Sequence, residues 1–99
     1  MLVDDYNTLI CPSCGEGFLH QIKVDVFERD EDAQEVLHVQ VGEAKIVKSV
    51  VVNNDMSTNP SLRRQGLTIS FSCETCEASP KLDFAQHKGS TLVSWREYM

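Results

Sequence analysis

Hydrophobic and polar positions alternate along much of this 99-residue chain, which is the pattern of β-strands that are buried on one side. The first clear example is the segment 17–28. Its alternating positions are Phe18, His20, Ile22, Val24 and Val26 on one side, and Gln21, Lys23 and Asp25 on the other. We therefore expect a long strand here whose apolar side is half-buried.

The same alternation predicts five further strands, at about residues 37–41, 46–52, 67–73, 82–84 and 91–95. Polar stretches predict turns at 29–34, 42–43 and 88–90 and a longer, exposed and mobile loop at 53–61. No segment has a helical period, and residues 61–66 form at most one turn. We therefore predict a single all-β domain, residues 1–99, built on an antiparallel sheet.

One predicted strand is apolar on both sides, because Val50, Val51 and Val52 follow one another. Such a strand needs cover from the rest of the fold or from another copy of the chain, since an exposed apolar edge invites pairing. A homodimer held by sheet contacts is therefore one prediction.

The four cysteines form two Cys-x-x-Cys pairs, in turns at 11–15 and 73–77: Cys11, Cys14, Cys73 and Cys76. Two intervening residues let a tight turn direct both sulfurs at one ion, and two such turns complete a tetrahedral site without an open position. This predicts one structural Zn²⁺ per chain. Such an ion would stabilise the domain, which is too short to bury a large core. The alternatives are an iron–sulfur cluster, buried cysteines without metal, and a redox pair, which would need a helix after it.

The two pairs are separated by 58 residues, far more than the about 15 to 20 of a compact four-cysteine site. The residues between them, 17–72, are therefore predicted to be inserted hairpins that carry most of the fold.

The strings Cys-Pro-Ser-Cys-Gly at 11–15 and Cys-Glu-Thr-Cys at 73–76 resemble the zinc ribbon family. The resemblance implies a three-stranded β-core around one zinc held by the four cysteines. Glu77 departs from the family pattern, in which glycine is frequent at this position. The strings 59–67 and 86–89 are also similar to small uncharacterised zinc-ribbon proteins of bacteria and their phages. That similarity implies a phage or mobile-element context and no particular activity.

The chain has a formal net charge of −6, and the segment 25–35 alone contributes −5. A phosphate backbone repels such a protein unless its basic residues gather on one face, so nucleic acid is a disfavoured partner. No apolar run is long enough to cross a membrane, and the N-terminus lacks the features of a secretory signal. Because metal-binding cysteine pairs suit a reducing compartment, we expect a cytoplasmic protein.

Four residues are candidates for binding outside the metal site: Arg63, Arg64, His87 and Lys88. The two arginines lie between a polar loop and a strand, where an anion contact is plausible, and a solvated role is the simpler interpretation of the other two. A basic face would form if the arginines converged with further basic residues: Lys81, Lys88 and Arg96.

The remaining histidines do not indicate catalysis. His20 is expected at the core or its boundary, and His38 is expected to meet solvent or a second strand. No Ser-His-Asp order or paired carboxylates accompany them. We therefore predict a zinc-stapled module that binds another protein and is not an enzyme. The alternative is a nucleic-acid-binding zinc ribbon that uses Arg63, Arg64 and nearby lysines.

Overall fold

The computed structural model describes residues 2–96, which form one six-stranded antiparallel sheet. The strands are β1 (Leu19–Glu28), β2 (Glu35–Val41), β3 (Val47–Asn53), β4 (Gly66–Cys73), β5 (Lys81–His87) and β6 (Ser90–Arg96). Their order across the sheet is β3-β2-β1-β4-β5-β6. Two single-turn 3₁₀ segments, Glu43–Lys45 and Asn54–Met56, are the only helical elements among these residues. The all-β prediction is confirmed, and no helical segment of residues 2–96 has the length and apolar character to cross a membrane.

The connections within the β5–β6 and β2–β3 hairpins differ in length. In the β5–β6 hairpin, Lys88 and Gly89 have φ of 50° and 84° between the paired residues His87 and Ser90. Two consecutive positive φ angles are typical of a type I′ turn, whose twist matches that of the flanking strands. The β2–β3 connection is longer than the predicted turn at 42–43, because the 3₁₀ segment Glu43–Lys45 extends it.

The connection from β3 to β4 crosses the end of the sheet and is tied down, which corrects the prediction of a mobile loop at 53–61. The amide of Asn54 donates to the carbonyl of Gln34 at 2.7 Å. The hydroxyl of Ser61, which is buried, donates to the carbonyl of Gln86 at 2.8 Å. One backbone amide and one side-chain hydroxyl of this loop thus bond the backbone of neighbouring segments and hold the loop in place.

Strand β1 alternates as predicted, but its buried side is the opposite one. Asp25 is 6% exposed, whereas Val26 is 38% exposed. A β-bulge between Gln21 and Lys23 also shifts the alternation, so that His20 lies on the same side as Asp25 and not with the valines. The predicted apolar core side of this strand, with His20 on it, is therefore wrong.

The buried polar groups on this side satisfy one another. Asp25 Oδ1 lies 2.7 Å from His38 Nε2 and accepts a hydrogen bond from Gln40 at 3.0 Å. Thr68 donates to Asp83 at 2.7 Å. Because buried polar atoms are tolerated when they are hydrogen-bonded, these networks let polar side chains occupy enclosed positions.

The register of the strands places different chemistry on the two sides of the sheet. The side we call the polar face carries Lys23, Asp25, His38, Gln40, Thr68, Ser70, Lys81, Asp83 and Arg96, and also the apolar residues Phe27, Val50 and Leu92. The side we call the apolar face carries Val24, Val26, Leu37, Val39, Val41, Val47, Val51, Leu67, Ile69, Leu82, Phe84, Val93 and Trp95. Across residues 2–96 the strands contact mainly their neighbours in the sheet, so this part of the chain supplies no second layer of secondary structure.

Candidate metal centre

The two cysteine turns have the same backbone hydrogen bonds. In the first turn, the Cys11 amide donates to the Glu16 carbonyl at 2.8 Å and the Gly15 amide donates to the Cys11 carbonyl at 2.8 Å. In the second, the Cys73 amide donates to Ala78 at 2.9 Å and the Glu77 amide donates to Cys73 at 3.1 Å. Each turn therefore folds its chain back over five residues and leaves both cysteine side chains on one side.

Strands β1 and β4 bring the two turns together. Cys73 is the last residue of β4 and pairs with Leu19, the first residue of β1, which follows the first turn closely. The amide of Glu74 donates to the carbonyl of Phe18 at 3.0 Å and continues the pairing beyond the strands. The sheet thus fixes the relative position of two turns that lie far apart in the sequence.

The four sulfur atoms gather at one point. Cys11 Sγ lies 3.7 Å from Cys76 Sγ, and Cys14 Sγ lies 3.6 Å from Cys73 Sγ. All four Sγ atoms lie within 4.8 Å of one another. These separations are far longer than the about 2.05 Å of a disulfide, so the cysteines are free thiols. The four cysteines therefore form one group of candidate metal ligands.

The surroundings of the cysteines change their acidity. The backbone amide of Cys76 has the largest effect on the pKa of Cys73 and, helped by the amide of Thr75, lowers it to about 7 against the effect of burial. The amide of Glu16 acts to lower the pKa of Cys14, but burial and the neighbouring sulfurs outweigh it and raise this pKa to about 12. Amide donors to sulfur stabilise thiolate, which is the form that binds metal.

The site is enclosed on one side. Cys11 and Cys73 are buried and pack with Ala78, Leu19 and Cys14 in a small apolar cluster. Cys76 is exposed. Around one bound ion, four cysteine sulfurs at these separations would fill a tetrahedral coordination sphere and leave no position for a substrate or water. The chemistry that this geometry supports is therefore structural.

The binding candidates Arg63, Arg64, His87 and Lys88 do not belong to this centre. Arg63 forms two hydrogen bonds with Asp32, at 3.1 and 2.7 Å, and its carbonyl accepts from the Asp32 amide at 2.8 Å. Arg64 contacts its neighbour Gln65 at 3.4 Å. His87 and Lys88 lie at the β5–β6 turn. A binding role of these four residues stays a prediction, and the Arg63 side chain is already engaged with the Asp32 carboxylate.

Sequence reasoning missed a second group of functional candidates on the polar face. Lys81 and Arg96, which the sequence considered together with Arg63, converge instead with Lys23 around one cavity. Only the strand order shows this, because the three residues come from β1, β5 and β6. The period-two pattern placed Lys23 on the polar side of β1, and this was the one available signal.

Comparison with known proteins gives no relative: no protein-family model matches the chain, and neither does any curated protein or solved structure.

Proposed function

We propose that the four cysteines hold one zinc ion as a structural staple. A tetrahedral ion with Zn–S bonds of about 2.3 Å requires sulfurs about 3.8 Å apart, and two of the sulfur pairs lie at 3.6 and 3.7 Å. An iron–sulfur cluster binds its cysteines to different irons, which spreads the sulfurs further apart. The close grouping of all four therefore supports a single ion, and the all-thiolate donor set favours zinc.

We further propose that this staple supports a protein-interaction module whose docking surface is the apolar face. The observation that carries the proposal is the exposure of that face: Val47, Val51 and Val93 are exposed on it. A sheet with one apolar side is stable when a second layer covers that side. Contiguous exposed apolar patches of several hundred Å² mark interaction sites.

The occupant we propose is a second copy of this chain. The residues that define the apolar face are uncharged, and the two carboxylates that share this side by register, Glu28 and Glu35, stand at one end of β1 and β2. Two copies with a net charge of −6 can therefore meet over the rest of the face without direct contact between like charges. The flat area of the apolar face is roughly 600 Å², because the face spans six strands about 4.8 Å apart and about three outward-facing side chains along each strand. Stable interfaces bury about 800 Å² of accessible surface on each partner, and the accessible surface of a pleated face exceeds its flat footprint.

Two such sheets would stack as the layers of a β-sandwich, about 10 Å apart, with side chains interdigitated. Trp95 lies on this face, and its indole Nε1 is buried and has no hydrogen-bond partner among residues 2–96.

The test uses pairs of adjacent valine or leucine residues that lie on opposite faces. Val51→Glu and Val93→Glu place a charge on the apolar face, in β3 and β6 respectively. Their controls, Val50→Glu and Leu92→Glu, change equally exposed neighbours on the other side, since Val50 and Val51 are 51% and 57% exposed. Analytical ultracentrifugation of the zinc-loaded protein measures the oligomeric state, and the Trp95 emission reports its burial.

We expect a dimer for the unmodified protein and both controls, and monomers for the two variants on the apolar face. A monomeric unmodified protein at tens of micromolar would overturn the second copy as the occupant. Equal effects of all four substitutions would overturn the assignment of the interface to this face.

A further inference from the structure

A row of three basic residues and one hydroxyl runs across the polar face. Lys23 of β1 pairs with Ser70 of β4, Ser70 pairs with Lys81 of β5, and Lys81 pairs with Arg96 of β6. Paired residues of adjacent strands project on the same side, about 5 Å apart. Two lysines on neighbouring strands therefore flank Ser70 on this face, with Arg96 next to Lys81.

Two cavities adjoin this row. The larger has a volume of about 400 Å³ and is lined by eight residues: Lys23, Asp25, His38, Gln40, Thr58, Thr68, Lys81 and Arg96. The second, of about 320 Å³, also includes Lys23 and Lys81 in its lining, together with Ser70 and Glu43. Volumes of this size are typical of sites for small molecules.

Ser70 provides an independent indication of a ligand. Its side-chain oxygen is buried, the residue is only 5% exposed, and this oxygen has no hydrogen-bond partner among residues 2–96. A buried hydroxyl without a partner costs free energy, so its presence between two lysines needs a reason. A bound acceptor group at this position would supply the missing partner.

The charges around the row favour an anion. Three of the nine basic residues of this acidic chain line the larger cavity. Three carboxylates lie near the row, and donors engage two of them: Asp25 is engaged by His38 and Gln40, and Asp83 by Thr68, while Glu43 lines the second cavity. Arg96 Nε lies 2.9 Å from Asp83 Oδ2, and Lys23 Nζ lies 3.7 Å from Asp25 Oδ2, which orients both cations at the cavity wall.

We propose that this row binds the phosphate group of a small organic phosphate, with Lys23, Ser70 and Lys81 as its contacts. A phosphate offers several strong acceptor oxygens, which suit two ammonium groups and a hydroxyl at once. The rest of the ligand occupies the larger cavity beside His38 and Thr58. A polymer of phosphates does not fit this site, since the net charge of −6 repels a polyanion and the cavity accepts one small group. This site lies opposite the proposed docking surface and does not depend on it.

The test titrates zinc-loaded, isotope-labelled protein with inorganic phosphate at constant ionic strength and follows the amide resonances. We expect saturable shifts at Ser70 and its strand neighbours, and about tenfold or more weaker binding in Lys23→Gln and Lys81→Gln. The matched control is Lys88→Gln, which removes the same charge at the β5–β6 turn and should leave the affinity unchanged. Ser70→Ala should weaken phosphate binding while leaving the protein at least as stable, because it removes a buried hydroxyl without a partner.

Three results would overturn the proposal. The first is the absence of saturable shifts up to tens of millimolar phosphate. The second is an equal loss of affinity in Lys88→Gln, which would indicate diffuse charge attraction. The third is binding of a ten-residue oligothymidine far more tightly than phosphate, with a steep salt dependence, which would assign the face to nucleic acid. Weaker or absent oligothymidine binding beside saturable phosphate binding supports a small ligand.

Discussion

Gly15 and Glu77 occupy the same position in the two cysteine turns. Each follows the second cysteine of its pair, each has a left-handed backbone, with φ of 78° and 62°, and each donates its amide to the carbonyl four residues earlier. Only glycine adopts this conformation without steric cost. Glu77 therefore adopts a backbone conformation that its own residue type disfavours, within a turn closed by hydrogen bonds to both sides of Cys73.

Replacing Glu77 by glycine should therefore stabilise the protein. We expect Glu77→Gly to raise the free energy of unfolding by about 0.5 to 1 kcal/mol, since the relief of left-handed strain exceeds the entropy that glycine adds to the unfolded chain. Urea unfolding of the zinc-loaded protein measures the change.

The converse substitution is the matched control. A Cβ built on Gly15 meets no atom within 4 Å, so Gly15→Ala tests the backbone conformation alone. It should lower the free energy of unfolding by about 1 kcal/mol. A destabilised Glu77→Gly variant would contradict the equivalence of the two turns.

Arg29 joins two loops at the end of the sheet. It is buried, its Nε donates to the Ala33 carbonyl at 2.7 Å, and a terminal nitrogen donates to the Leu62 carbonyl at 3.1 Å. Arg29→Met keeps much of the aliphatic stem but leaves two carbonyls without their donor, so we expect a loss of about 2 to 3 kcal/mol in urea unfolding.

The control for this prediction is Arg64→Met. Among residues 2–96, the one hydrogen bond of the Arg64 side chain is that of its Nε to the neighbouring Gln65, so its replacement should change stability by about 0.5 kcal/mol or less. Equal losses in both variants would show that Arg29 acts by general charge and not through its two hydrogen bonds.

The pair of Asp32 and Arg63 predicts a pH effect. Hydrogen bonding to the Arg63 guanidinium, together with its charge, lowers the pKa of Asp32 below its ordinary value. A carboxyl that is a stronger acid in the folded state stabilises the fold above the unfolded pKa, and this contribution is lost as the pH falls through the folded pKa. The pair is therefore at full strength at neutral pH.

Carbon NMR of the Asp32 carboxyl measures this pKa directly. Arg63→Gln should raise it toward the ordinary value, while Arg64→Gln should leave it where it is. An unchanged pKa in Arg63→Gln would mean that the guanidinium does not hold this carboxylate in solution.

The strands and the grouping of the cysteines could be predicted from the sequence because both depend on short-range patterns. Alternation located all six strands, and the spacing within each Cys-x-x-Cys pair identified the four cysteines that gather as candidate ligands. The buried side of β1 could not be predicted, because Asp25 is enclosed through contacts with His38 and Gln40 on another strand.

The row of basic residues on the polar face could not be predicted from the sequence for a similar reason. Ser70 lies beside Lys23 because β4 pairs with β1 and not with β3, its predecessor in the chain. That choice depends on the connection over the end of the sheet, where Ser61 bonds Gln86. Periodicity shows the side on which a residue lies within its strand, but it does not show which strands are neighbours.

The zinc staple is tested most directly by elemental analysis combined with native mass spectrometry of the purified protein. We expect one zinc ion per chain, and unfolding of Cys73→Ser as judged by circular dichroism, because the energy of metal binding is part of the energy of folding. A folded protein without metal, or one that carries several irons and inorganic sulfide, would contradict the account.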